Sequence, residues 1–135
     1  MSAYSEQVVF TPSEDQRFLA GVLMRPTGEA VRSIGVVSLH GSTGAFYHPP
    51  MYVYLGRALA DRGYHYVSGN TRSHDVASPE ARWPWSCRDE DVATWRLGGD
   101  GWTRWDEESH DVAGWIDFLT AQGADQIVLF GHSGG

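Results

Sequence analysis

Cysteine is nearly absent from this chain. The single thiol, Cys87, can form no internal disulfide, and without a CxxC partner it points to neither zinc nor redox chemistry. No basic stripe appears, and the formal net charge is −7. Nucleic acid and anionic membranes are therefore disfavoured as partners, since both demand clustered Lys and Arg to neutralise phosphates. The stretch from Met1 to Val8 lacks a positive n-region and a long apolar h-region, and no apolar run approaches the length of a membrane span. A cytoplasmic location is the expectation. HxxxH pairs are missing too, so no metal and no cofactor is expected. Neither G-x-x-x-x-G-K-[ST] nor a strand-linked G-x-G-x-x-G occurs, which sets aside a nucleotide-binding domain. There is no internal repeat and no low-complexity tract.

What is present suits one folded domain. At 135 residues, with 41% apolar and 20% charged residues, the chain is long enough for a real core and far from the composition of disorder. Short apolar runs alternate with helical patterns, as in an α/β fold. Gln7 to Phe10 and Phe18 to Met24 read as an antiparallel entry hairpin around a polar turn at Pro12, Ser13, Glu14 and Asp15. Ile34 to Leu39 is almost continuously apolar, as expected of a strand covered on both faces. Tyr52, Leu55, Ala58 and Leu59 predict a helix between Pro49 and Arg62, with Gly63 as its stop. Tyr64 to Ser68 reads as the next strand. Val112, Trp115, Ile116 and Leu119 mark a second helix ending near Gly123, and Gln126 to Phe130 the last strand. The sheet is expected to be mostly parallel with flanking helices. Between Thr71 and Trp105 lies an irregular stretch holding Trp83, Trp85, Trp95, Trp102 and Trp105, and its part at about 76–105 reads as an insertion or lid.

The last strand runs directly into Gly131-His132-Ser133-Gly134-Gly135, a G-x-S-x-G match in the strand-to-turn context that separates a nucleophile elbow from a chance pentapeptide. A serine forced into a sharp turn takes an unfavourable backbone conformation, and neighbours without side chains let the chain pass close by. Gly131, Gly134 and Gly135 meet that demand. Ser133 is the candidate nucleophile, and the Gly134 N–H a candidate oxyanion donor. The third strand ends in His40-Gly41-Ser42-Thr43-Gly44, where a loop supplying a second donor belongs. The Ser42 N–H is that candidate, with Gly41 shaping the loop and His40 orienting it. His132 is expected to pack beneath the turn rather than act as base.

HGSTG after a strand, the strand leading to Asn70-Thr71-Arg72-Ser73-His74-Asp75, and the strand into GHSGG together resemble the α/β-hydrolase superfamily over nearly the whole chain. The Asn70–Asp75 segment is similar to the N-x-R-G-H-D of some esterase-like members, with Ser73 where glycine is usual. The resemblance implies an α/β-hydrolase fold and a serine, acid and histidine triad whose acid and histidine follow the serine in the chain. It therefore implies the N-terminal portion of such a domain, with its own C-terminal half as a partner. The expected function is hydrolysis of a carboxylic ester, lactone or thioester of a small molecule through an acyl-enzyme. Perhydrolase, lyase or acyltransferase chemistry remains open on the same fold, as does a non-catalytic binding role. Arg72, His74 and Trp102 are candidate substrate-side residues, while Arg72, His74 and Asp75 also suit bracing the oxyanion loop or a hydrogen-bonded loop network. Arg72 and His74 sit at the strand edge where open α/β sheets bind ligands, and Trp102 in the stretch that would form an aromatic wall.

Overall fold

Strand alternation and two helical stripes account for the architecture. The structure, a computed structural model, describes residues 3–84 and 96–135. Strands β1 (Tyr4–Pro12) and β2 (Phe18–Pro26) pair antiparallel along their whole length, from Tyr4 opposite Pro26 to Pro12 opposite Phe18. Next come β3 (Ile34–Leu39), helix α1 (Met51–Ala60) and β4 (His65–Gly69). Two short strands, β5 (Ser78–Glu80) and β6 (Arg96–Gly98), pair with each other. A single 3-10 turn (Trp105–Glu107) leads into helix α2 (Glu108–Ala121) and then β7 (Gln126–Gly131).

The main sheet runs in the order β1-β2-β4-β3-β7. It is mixed rather than mostly parallel: β3 pairs parallel with β4 and with β7, whereas β2 is antiparallel to both β1 and β4. The reason is the short connection after β1, which permits only a hairpin, whereas the parallel pairs each have a helix to carry the chain back. The irregular reading of the stretch after Thr71 also needs correction, since β5 and β6 lie within it. Trp85, Cys87 and Trp95 fall outside the described residues.

Period-two alternation puts one set of side chains on each face of the sheet. Leu23, Val37, Leu39 and Val67 pack with Trp115 and Leu119 of α2, while Val22, Met24, Val36 and Tyr66 pack on the α1 side. Trp115 is wholly buried and donates its indole N–H to the Asn70 carbonyl at 2.8 Å. Its ring lies so close to β4 that a Cβ at Gly69 would stand 2.2 Å from it, so only glycine fits there. Among the described residues no helix is long and apolar enough to cross a membrane.

The helices position the site. After β3 the chain moves one way through α1 to β4, then returns through α2, on the opposite face, to the far side of β3. The carboxyl ends of β3 and β7 therefore lie side by side at one edge, and the carboxyl edge of an open α/β sheet is where ligands bind.

Candidate active site

Three loops meet at that edge, following β3, β4 and β7. Ser133 is exposed in the turn after β7 with φ +58°, in the left-handed region that non-glycine residues rarely adopt. The turn closes through the Gly135 N–H, which donates to the His132 carbonyl at 3.0 Å, and the His132 N–H donates to Leu39 at 3.3 Å. Gly131 and Gly135 are folded against each other, since a Cβ on Gly131 would meet the Gly135 carbonyl. Gly41 lies against the serine: a Cβ there would stand 2.7 Å from the Ser133 Cβ. Gly134 and Ser42 adjoin in the same way, with the Ser42 Oγ 3.3 Å from the position a Gly134 Cβ would take.

Peptide geometry fixes where the Ser42 amide points. The Gly41 carbonyl accepts from the His40 Nδ1–H at 2.9 Å and from the Gly44 N–H at 2.9 Å. In a trans peptide the following N–H lies opposite the carbonyl, so the Ser42 N–H is turned away from His40. Among the described residues neither that amide nor the Gly134 amide donates to another group. His40 is buried, and its Nε2 accepts from the Thr71 N–H at 3.0 Å, which fixes the proton on Nδ1 and ties the β3 loop to the β4 loop. Burial pushes the pKa of His40 down, partly offset by the bond to Gly41, so the imidazole stays neutral as both bonds require.

Tyr52 is the contributor that sequence reading missed, for it was read only as part of the apolar face of α1. Its fully buried hydroxyl accepts from the Gly41 N–H at 3.3 Å and shares a hydrogen bond with the His132 Nδ1 at 3.0 Å. The bond engages the His132 ring with α1, and His132 itself is exposed rather than packed beneath the turn. Among the described residues the Ser133 hydroxyl has no hydrogen-bond partner. A small cavity of about 190 Å³ opens between Gly41, Ser42, His48, Tyr52, His132 and Ser133.

The β4 loop is held by charge. Arg72 has a fully buried side chain whose guanidinium reaches Asp111 and Asp15 (Nη2 at 2.8 and 2.7 Å) and Glu107 (Nη1 at 2.8 Å), while its backbone N–H donates to Asp111 at 2.7 Å. Burial alone would raise the Asp15 pKa, but the hydrogen bonds from Arg72 and Ser13 outweigh it and hold the carboxyl at about 2. Arg72 thus braces the loop, with no free face of its guanidinium turned to solvent. His74 Nδ1 bonds the Asp75 carboxylate at 2.7 Å. Trp102 is 55% exposed, and the indole that reaches the Ser133 turn is that of Trp105, 3.0 Å from the position of a Gly134 Cβ. Among the described residues no group of three or more His, Cys, Asp or Glu is arranged to hold a metal ion.

No protein-family model matches the chain, and no curated protein matches it in sequence. Solved structures match it in shape. The Pyrococcus furiosus esterase Pf2001 superposes with a TM-score of 0.63 at 17% identity over 95% of this chain and 42% of its own. A cold-adapted esterase from an Arctic intertidal metagenomic library gives 0.60 at 16% identity, over 98% of this chain and 52% of its own. The Pyrococcus horikoshii acylaminoacyl peptidase gives 0.56 at 20% identity, over 97% and 19%. The chain therefore has the fold of part of these α/β-hydrolase-type enzymes, and it spans less than half the length of the Pyrococcus furiosus esterase.

Proposed function

We propose that this chain is the front part of a serine hydrolase acting on a carboxylic ester, lactone or thioester of a small molecule. The observation that carries the reading is Ser133 itself: exposed, at φ +58° directly after β7, and packed on Gly41 beside the unbonded amides of Ser42 and Gly134. The fold shared with two esterases and a peptidase supports it. In the proposed reaction the Ser133 Oγ bonds the substrate carbonyl carbon as its proton passes to a histidine base, and the carbonyl oxygen becomes the anion facing the two amides. Collapse breaks the bond to the leaving alcohol or thiol, which takes the proton. Water then releases the acid from the acyl-enzyme by the reverse sequence. The histidine and its acid lie beyond Gly135 in this proposal, on segments that pair with the β7 edge, where Val128 and Leu129 are half exposed. Residues 1–135 would then be part of one catalytic domain, with a Trp-rich insertion or lid-like stretch at about 76–105, of which residues 85–95 lie outside the described residues.

Perhydrolase, lyase or acyltransferase chemistry would use the same nucleophile and differ in what attacks the acyl-enzyme. A non-catalytic binding role draws on one observation, the absence of a partner for the Ser133 hydroxyl among the described residues. Incubation with a fluorophosphonate followed by intact mass measurement separates activation from its absence. Labelling that disappears in Ser133→Ala, with a loss of activity of about a thousandfold or more, is the expected result. No labelling of the wild-type protein would overturn the hydrolase reading in favour of the binding role.

A further inference from the structure

Trp105 stands beside Gly134, one of the two residues whose amides are unbonded. Its ring atoms Cη2 and Cζ3 lie 3.0 and 3.3 Å from the position of a Gly134 Cβ, a point that is also 3.3 Å from the Ser42 Oγ. The indole thus borders both residues whose N–H groups would face the oxyanion, and about half of its surface, 51%, is open.

The ring is also fixed in place. Trp105 opens the 3-10 turn whose last residue, Glu107, is paired with Arg72 at 2.8 Å and with Arg96 at 2.6 Å. Arg72 in turn is bound to the fully buried Asp111 on α2. An indole two residues from a carboxylate clamped by two arginines is a wall, not a swinging lid. The open 190 Å³ cavity on the other side of the turn is lined in part by Tyr52, which is wholly buried.

We propose that Trp105 is a specificity-determining residue of this site, and that its indole restricts acylation of Ser133 to short-chain acyl groups. The inference rests on the serine-hydrolase reading and goes further by naming the substrate class. It predicts a site that handles acetyl and butyryl esters and rejects medium-chain ones until the indole is removed.

The test compares kcat/KM for p-nitrophenyl acetate, butyrate and octanoate in the wild-type protein, Trp105→Ala and Trp105→Phe, with fluorophosphonate labelling of Ser133 in each. The leaving group is constant, so chain length alone varies. Trp105→Ala should raise the octanoate-to-acetate ratio about tenfold or more, with Trp105→Phe in between. A ratio that stays within about twofold of wild type, or a loss uniform across all three esters, overturns the assignment, because a purely supporting residue would not discriminate chain length. If Ser133 labels but the ratio does not move, only this inference fails. If the wild-type protein neither labels nor hydrolyses any ester, the hydrolase reading fails and takes this inference with it.

Discussion

The loops after β4 and β7 leave the same sheet edge, yet they are held in opposite ways. The β4 loop is immobilised by side-chain charge, with Arg72 buried among Asp15, Glu107 and Asp111, which come from the β1–β2 turn, the 3-10 turn and α2. The β7 turn has no ion pair among the described residues and is held by backbone bonds to Leu39 and between His132 and Gly135, plus the Tyr52 hydroxyl. One loop hides its polar groups, and the other leaves Ser133 and two amides open. Satisfied polar groups stabilise, whereas groups left open are those a reacting molecule can use. The difference teaches that the scaffold's rigidity and its chemistry are carried by neighbouring but separate sets of residues.

The largest effect should come from breaking the charged side of that comparison. Asp111→Ala leaves Arg72 buried with its fully buried carboxylate partner gone and its backbone N–H without an acceptor, and losing one partner of a buried pair costs about 3–5 kcal/mol. Asp15 and Glu107 remain, so the lower end of that range is expected in a denaturant titration. A loss below about 1 kcal/mol would mean that the network is dispensable to the fold.

How much of this was legible in sequence follows the same divide. Ile34–Leu39 and the helix around Trp115 were readable because hydrophobic periodicity is local, and Ser133 and His40–Gly44 because each motif lies within five residues. A loop network around Arg72 was one of the readings, but its carboxylate partners were not legible, because residues 15, 72, 107 and 111 are joined only by the fold, and polar residues at turns most often bond their own backbone. Tyr52 was hidden for another reason. Its ring is a buried part of α1, which masks the work of its hydroxyl. The antiparallel pairing of β2 with β4 left no local mark either, since strand order depends on which faces the helices cover. The short β5 and β6 hold only three residues each, too few for a period to show.

Tyr52→Phe attacks the link between the β3 loop and the β7 turn, and its effect should be intermediate. The substitution keeps the ring and removes the acceptor of the buried Gly41 N–H together with the hydrogen bond to His132. An unsatisfied buried amide costs about 1–3 kcal/mol. If the bond mainly aligns Gly41 against Ser133, kcat should fall about tenfold while KM changes little, since each 1.4 kcal/mol lost only in the transition state is a factor of ten. A rise in KM with unchanged kcat would place Tyr52 in substrate binding and remove it from the alignment of the two loops.

The smallest effect should also carry the opposite sign. Ser133 at φ +58° bears a backbone strain of roughly 1–2 kcal/mol that glycine does not feel, partly offset by the greater freedom glycine has when unfolded. Ser133→Gly should therefore stabilise the protein by up to about 1 kcal/mol, a rise in Tm of a few degrees, while abolishing covalent labelling. Gln16, at φ +63° in the β1–β2 turn far along the chain from the site, is the internal control. Gln16→Gly should give a similar rise in Tm with labelling of Ser133 unchanged. If both variants stabilise and only one loses labelling, strain at residue 133 is retained for chemistry, whereas strain at residue 16 belongs to the turn. If Ser133→Gly instead destabilises, the hydroxyl takes part in holding the turn, and the β7 loop is less unlike the β4 loop than its backbone bonding indicates.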